Sequence, residues 1–96
     1  DPQAHNDYAW LLATHEEAEL RDGKLAIEFA ERAVARERTA TYLDTLAAAY
    51  AEAGRFDDAV STQEQAIAML NEAEQELRGE LAEHLDAYRA GRPWRE

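Results

Sequence analysis

The sequence lacks cysteine, has only two prolines and contains no long apolar run, and each of these absences excludes a class of protein. Without cysteine there is no disulfide framework and no thiolate metal site, and the compartment stays open between cytoplasm and periplasm, with the cytoplasm favoured. Pro2 and Pro93 lie near the chain ends and β-branched residues are sparse, so we expect an all-α protein without a sheet. The longest uncharged run, Tyr8 to His15, is far shorter than the ~20 apolar residues of a membrane helix, so we expect no membrane insertion.

Basic side chains are also scarce. The chain has 21 Asp and Glu against 10 Lys and Arg, which gives a net charge of −11. This balance disfavours binding to nucleic acid or to an anionic membrane surface, and it makes a cationic partner the better match. Much of the charge in this acidic protein also has an ordinary explanation, because acidic side chains keep a helical surface soluble.

The length of 96 residues suits one small domain with a modest core. The chain begins with Asp1 rather than Met. We therefore expect a trimmed or processed protein, or part of a longer one.

Residues 42–67 carry the pattern of two short helices folded back on each other around a turn. The first helix has apolar residues at spacings of three and four, at Leu43, Leu46, Ala47 and Tyr50. The second helix repeats this spacing at Phe56, Ala59, Val60, Ala66 and Ile67. Gly54 lies where the first helix must stop, because a residue without a Cβ adopts the left-handed conformation that ends a helix. Ala47, Ala59 and Ala66 are small where larger side chains would hold the helices apart, which favours close antiparallel packing.

The same pattern occurs earlier in the chain as an internal repeat. The apolar pairs Ala26-Ile27 and Ala33-Val34 return 33 positions later as Ala59-Val60 and Ala66-Ile67. The first helices are offset by 38 positions, as Tyr8 and Leu46 are, so the first repeat has about five extra residues in its turn. These account for the charged segment Glu16–Asp22. Asp22 is a predicted N-cap of the helix that follows.

This arrangement resembles the tetratricopeptide repeat, a unit of about 34 residues with small and aromatic residues at fixed intervals. The matching positions are Leu46, Ala47, Tyr50, Gly54, Ala59 and Ala66. The family pattern has an aromatic residue at the position of Gln63 and a proline at the position of Asn71, so this sequence departs from the pattern at both positions. The resemblance covers residues 3–70 and implies a right-handed α-solenoid fragment of two helix-turn-helix repeats. Repeat one spans 3–38 with a lengthened internal turn, and repeat two spans 39–70.

Residues 71–90 predict a C-terminal capping helix. Asn71 is a polar residue followed three positions later by the acid Glu74, a pattern that marks the start of a helix. A single apolar stripe follows at Leu77, Leu81, Leu85 and Tyr88. Such a helix suits the end of a repeat array, because the last repeat would otherwise expose its stacking surface. Residues 91–96 form a tail, in which Trp94 either folds back onto the helix or stays exposed.

No pattern in the sequence indicates catalysis, so we predict a protein that is not an enzyme and binds no cofactor or metal. The histidines are too scattered for a metal-ligand signature, at His5, His15 and His84. The acidic cluster Glu16–Glu19 belongs to a charged loop, whereas acid–base catalysis needs carboxylates in contrasting, partly buried settings. No Gly-rich phosphate loop or nucleophile elbow is present.

The resemblance implies a non-catalytic scaffold that binds a protein or peptide segment in a concave groove. The groove-facing positions of the two first helices are Asn6, Trp10, Thr41, Asp44, Thr45, Ala48 and Glu52. Two interpretations of Trp10 stay open, one in the groove and one packed on the lengthened turn of repeat one. For the other positions the alternative is an ordinary solvated residue.

The chemistry of the groove favours a basic or amphipathic partner segment. Residues 41–86 carry eleven acidic side chains against two arginines, Arg55 and Arg78. Family members that grip a C-terminal carboxylate use Lys and Asn, whereas Asn6 here is accompanied by acids, so the resemblance does not extend to that clamp. The alternative function is a self-assembly module that forms a homodimer or larger oligomer through its exposed repeat ends, since two repeats are fewer than the ~3 usually needed for stability.

Overall fold

The computed structural model describes residues 1–96 as five α-helices without a strand. The helices are α1 (Pro2–Thr14), α2 (Gly23–Arg36), α3 (Ala40–Glu52), α4 (Phe56–Ala68) and α5 (Gln75–Arg89). A single 3-10 turn, Ala18–Leu20, lies in the lengthened connection between α1 and α2. The prediction of an all-α chain of five helices is therefore confirmed. None of these helices combines the length and the apolar character that crossing a bilayer requires.

Local sequence accounts for several helix ends. Asp22 caps α2 as predicted, because its side chain accepts a hydrogen bond of 3.1 Å from the backbone N–H of Leu25. Thr39 caps α3 in the same way through the N–H of Tyr42. Gly54 follows α3 with a φ of +82°, a backbone conformation that a Cβ would strain.

The capping helix begins later than the sequence indicates. The side chain of Asn71 accepts a hydrogen bond from the N–H of Ala73, and the side chain of Glu74 accepts one from the N–H of Asn71. These bonds close a separate turn after α4, so α5 starts at Gln75 instead of residue 71. The side chains of Asn71 and Glu74 do bond to backbone N–H groups as a cap would, but they stabilise the connection between α4 and α5 rather than the first turn of α5.

The helices pack in chain order, each on the next, and α1 also packs on α3. The helix pairs α1–α2 and α3–α4 fall within the predicted repeats. The helix crossings are occupied by fully buried alanines, at Ala9, Ala26, Ala30, Ala47, Ala49, Ala59 and Ala66. Small side chains at these positions let the backbones approach closely, as the sequence predicts. The packing is consistent with a helical array.

Helix α5 packs along α4, and its Tyr88 shares a buried cluster with Ala47 and Ala51 of α3. Its stripe faces inward, since Leu81, Leu85 and Tyr88 are buried and Leu77 is half-buried.

Gly23 provides a test of the close packing between α2 and α3. A Cβ on Gly23 would lie 2.7 Å from the backbone nitrogen of Ala53, and a backbone atom cannot move aside as a side-chain tip can. We expect Gly23→Ala to lower the free energy of unfolding in urea by ~1–3 kcal/mol. Gly79→Ala is the matched control, because no atom lies within 4 Å of that added methyl group in α5, and it should stabilise by ~0.5–1 kcal/mol. The same sign of change for both variants would contradict the α2–α3 contact.

Candidate functional site

A cleft of about 530 Å³ opens where α1, α3 and α5 meet the C-terminal segment 92–96. Its lining consists of Gln3, Asn6, Asp7, Trp10, Thr41, Asp44, Thr45, Glu80, His84, Trp94 and Glu96. Four of these side chains are carboxylates and none is Lys or Arg. The cleft is therefore an acidic surface with two indole rings.

Five of the seven predicted groove residues line this cleft. Asn6 and Trp10 project from α1 one turn apart, and Thr41 and Thr45 do the same from α3, with Asp44 beside them. Residues four apart lie on the same side of a helix, and α1 packs against α3, so the two rows come together. The structure thus places Trp10 in the cleft.

Ala48 and Glu52, the other two predicted groove residues, do not line the cleft. Ala48 is 1% exposed and belongs to a core cluster with Ala9 and Leu12. Its face of α3 is covered by α1, because α1 crosses α3 closely enough to bury an alanine completely.

Glu52 is held in two ion pairs. Its Oε2 accepts a hydrogen bond of 3.2 Å from Arg21 Nε, and its Oε1 lies 2.7 Å from Arg95 Nη1. Arg21 comes from the connection between α1 and α2, and Arg95 comes from the C-terminal segment. The period of α3 alone could not reveal either partner.

Asp44 forms part of a buried hydrogen-bond network. Its Oδ1 accepts hydrogen bonds from Gln63 Nε2 at 2.8 Å and from His84 Nδ1 at 2.9 Å. A carboxylate only accepts, so His84 carries a hydrogen on Nδ1. Gln63 is fully buried and its Nε2 also donates to the carbonyl oxygen of Leu81 at 3.0 Å. Asp44 therefore joins α3, α4 and α5, with Gln63 as its hydrogen-bond donor from α4.

His84 lies between two tryptophans. The centroid of its ring is 4.3 Å from that of Trp94 and 5.8 Å from that of Trp10. The sequence analysis set the three histidines aside as scattered. The sequence did contain one indication that His84 is buried. His84 lies three residues after Leu81 and four before Tyr88, and this spacing puts it on the buried side of α5. Its partner Asp44, 40 positions away, could not be inferred from spacing.

Asp44 and His84 form a buried carboxylate–imidazole pair, which the sequence did not indicate. Such a pair serves as an acid–base group when the free imidazole nitrogen can reach a substrate proton. Here His84 is 9% exposed and flanked by both indoles, which favours a structural role. No three His, Asp or Glu side chains converge as a metal site.

The C-terminal segment folds back across the cleft. The indole N–H of Trp10 donates to Glu96 Oε1 at 3.3 Å, and the indole N–H of Trp94 donates to Glu96 Oε2 at 3.2 Å. The backbone N–H of Glu96 donates to the carbonyl oxygen of Thr14 at 3.0 Å. Of the two interpretations of Trp94, the structure selects the folded-back one.

Asn6 offers an unused hydrogen-bonding group in the cleft. The residue is only 6% exposed, and its Oδ1 has no hydrogen-bond partner. Most buried polar side chains are hydrogen-bonded, so this oxygen is an exception, and it can meet a ligand only when the amide rotates toward the cleft.

Comparison with known proteins adds no relative: no protein-family model, no curated protein and no solved structure matches this chain. Function is therefore argued from the geometry of the cleft.

Proposed function

We propose that the protein is a non-catalytic scaffold of two tetratricopeptide-like repeats that binds a basic or amphipathic segment of a partner protein in the cleft. The observation that carries this proposal is the charge of the lining, four carboxylates without one Lys or Arg. A protein segment with basic side chains complements that surface, whereas an anionic ligand would be repelled.

Two of the carboxylates face the cleft without a cationic partner, and the single side-chain hydrogen bond to either of them runs from Gln3 Nε2 to Asp7 Oδ1 at 2.7 Å. Asp7 and Glu80 are exposed at the cleft and belong to none of the ion pairs within the chain. Asp44, by contrast, is occupied by Gln63 and His84. Asp7 and Glu80 therefore supply the attraction that steers a basic segment, and Asp44 holds the wall in place.

Trp10 and Asn6 supply the remaining parts of a peptide-binding surface. Tryptophan contributes a large contact area and often dominates interface energy, while surrounding charges mainly affect the association rate. Asn6 borders the cleft with an amide whose Oδ1 is buried without a partner, so rotation of the amide would bring a hydrogen-bonding group to the bound segment.

The proposal is tested by selecting peptides that bind the protein and measuring how their affinity depends on charge. Peptides selected on the immobilised protein at low salt should be rich in Lys and Arg. The double variant Asp7→Asn, Glu80→Gln should bind a selected basic peptide about tenfold more weakly, because each lost charge removes up to ~1 kcal/mol. Binding to the wild type should also weaken as the ionic strength rises past ~0.15 M.

The matched control is Glu28→Gln, Asp57→Asn, which removes the same charge from exposed positions on α2 and α4 that do not line the cleft. It should change the affinity less than about twofold, because exposed charges that do not contact the bound segment are screened by salt. If the two double variants weaken binding equally, only net charge matters and the cleft is not the binding surface.

Self-assembly through a repeat end is the second candidate, and exposed apolar side chains near α1 favour it. Leu11 is 46% exposed and Leu20 is 47% exposed. Burying them against a second copy would remove apolar surface from water. Light scattering at several concentrations separates the candidates, since a monomer supports the partner-binding scaffold and a concentration-dependent dimer supports assembly.

A further inference from the structure

The C-terminal segment binds the cleft and its surroundings as a short peptide would. Trp94 packs on the ring of His84 and on the cluster that contains Ala47 and Tyr88. Arg95 forms an ion pair of 2.7 Å with Glu52 of α3. Glu96 donates its backbone N–H to the Thr14 carbonyl and receives both indole N–H groups on its carboxylate. Three consecutive residues thus contact three different helices.

The surface under this segment is held in place by other parts of the chain. Glu52 is fixed by Arg21 through its second carboxylate oxygen, and His84 is fixed by Asp44. The binding groups for an aromatic and a basic side chain therefore stay oriented when the segment leaves. Preorganised groups lose less conformational entropy on binding, which favours reuse of the same surface.

We propose that Trp94, Arg95 and Glu96 are the chain's own copy of the ligand, and that the partner segment carries an aromatic residue followed directly by a basic one. The proposal rests on the proposed function and specifies its partner. An incoming aromatic side chain takes the place of Trp94 beside His84, and the basic side chain that follows it takes the place of Arg95 on Glu52. The partner backbone replaces the N–H of Glu96 on the Thr14 carbonyl.

A tethered copy competes strongly with a free one. A segment joined by a short linker acts at an effective concentration of the order of mM, so it lowers the apparent affinity of an external peptide. Gly91 has a φ of +73° directly after α5, and residues 92–96 have no regular secondary structure, so the segment can leave while the helices stay packed. The occupied cleft is then the resting state of the protein, and partner binding exchanges one aromatic–basic segment for another.

The probe is a fluorescent peptide with the sequence of residues 91–96, Gly-Arg-Pro-Trp-Arg-Glu, blocked at both ends. Fluorescence anisotropy with the full chain should show weak binding to the wild type. The double variant Trp94→Ala, Arg95→Ala should bind the probe at least about tenfold more tightly, because its own segment no longer competes. Arg92→Ala is the control, since that exposed side chain forms no hydrogen bond or ion pair, and it should bind the probe as the wild type does.

A second readout uses the wild type and does not depend on the stability of the double variant. The chain has two tryptophans, so labelling with 5-fluorotryptophan yields two fluorine resonances, assigned with Trp10→Phe and Trp94→Phe. Saturating unlabelled probe should move the Trp94 resonance to the position of an exposed indole. A probe in which Trp and Arg are both replaced by Ala should leave it unmoved.

The outcomes separate this inference from the proposed function. Equal affinity of the probe for the wild type and the double variant, with a Trp94 resonance that stays in place, would overturn the displacement. If the selected basic peptides still bind in that case, the proposed scaffold function stands and only the displacement is wrong. If no basic peptide and no probe binds any of these proteins, both proposals are wrong.

Discussion

Asp44→Ala is expected to lower the free energy of unfolding by about 2–4 kcal/mol, because it removes the acceptor that joins α3, α4 and α5. The N–H of His84 would then be buried without a partner, while Gln63 would keep only its bond to the Leu81 carbonyl. An unsatisfied buried donor costs ~1–3 kcal/mol, and the loss of the side chain adds a cavity. Urea unfolding followed by circular dichroism measures the change.

The conservative variant Asp44→Asn separates shape from charge. Its side-chain oxygen can still accept from both donors, so we expect a smaller loss, roughly 1 kcal/mol, from the missing charge. Thr41→Ala is the control, an exposed residue of the same cleft whose removal should stay within about 0.5 kcal/mol. If Asp44→Ala is as stable as the wild type, the hydrogen-bond network does not stabilise the packing of α3, α4 and α5. That result would favour the acid–base interpretation of His84.

Tyr88→Ala is the second substitution with a large expected effect. Tyr88 is 1% exposed and packs in one cluster with Ala47, Ala51 and Ala59, so it attaches α5 to the rest of the array. Truncating a buried aromatic residue costs ~3–5 kcal/mol, a large part of the ~5–15 kcal/mol that stabilises a small domain. We expect loss of the cooperative thermal transition, or a fall in its midpoint of more than about 10 °C.

Tyr88→Phe tests the hydroxyl group separately. The hydroxyl oxygen is buried without a hydrogen-bond partner, so its removal should leave stability at neutral pH unchanged or slightly raised. Burial, and then the nearby carboxylate of Asp44, raise the pKa of Tyr88 above its ordinary value of 10.0. Above pH 10 the unfolded chain releases a proton that the folded chain keeps, so stability falls as the pH rises further.

Alkaline unfolding of single-residue variants therefore measures the contribution of this group. Tyr88→Phe should unfold at a higher pH than the wild type, since it has no buried phenol to ionise. Tyr8→Phe is the matched control, because that ring is 44% exposed. Identical alkaline midpoints for the two variants would show that ionisation of Tyr88 does not drive the alkaline transition.

The sequence by itself determined the features that depend on neighbouring residues. Periods of three and four predicted the helices and their buried faces, such as the side of α5 that carries Leu81 and Tyr88. Asp22 and Gly54 marked a helix start and a helix end, because a cap and a left-handed turn are local properties of the backbone. A residue's position on a helix face follows from its spacing alone.

Only the tertiary structure decided which side chains meet across helices. Asp44 and His84 are 40 positions apart, and Trp10 and Glu96 are 86 apart, so neither contact has a signature in spacing. Periodicity places Asp44 on a groove-facing position but cannot show that Gln63 and His84 occupy its oxygen there. Those pairings depend on the angles at which helices cross and on the path of the C-terminal segment, and both are set by packing of the whole chain.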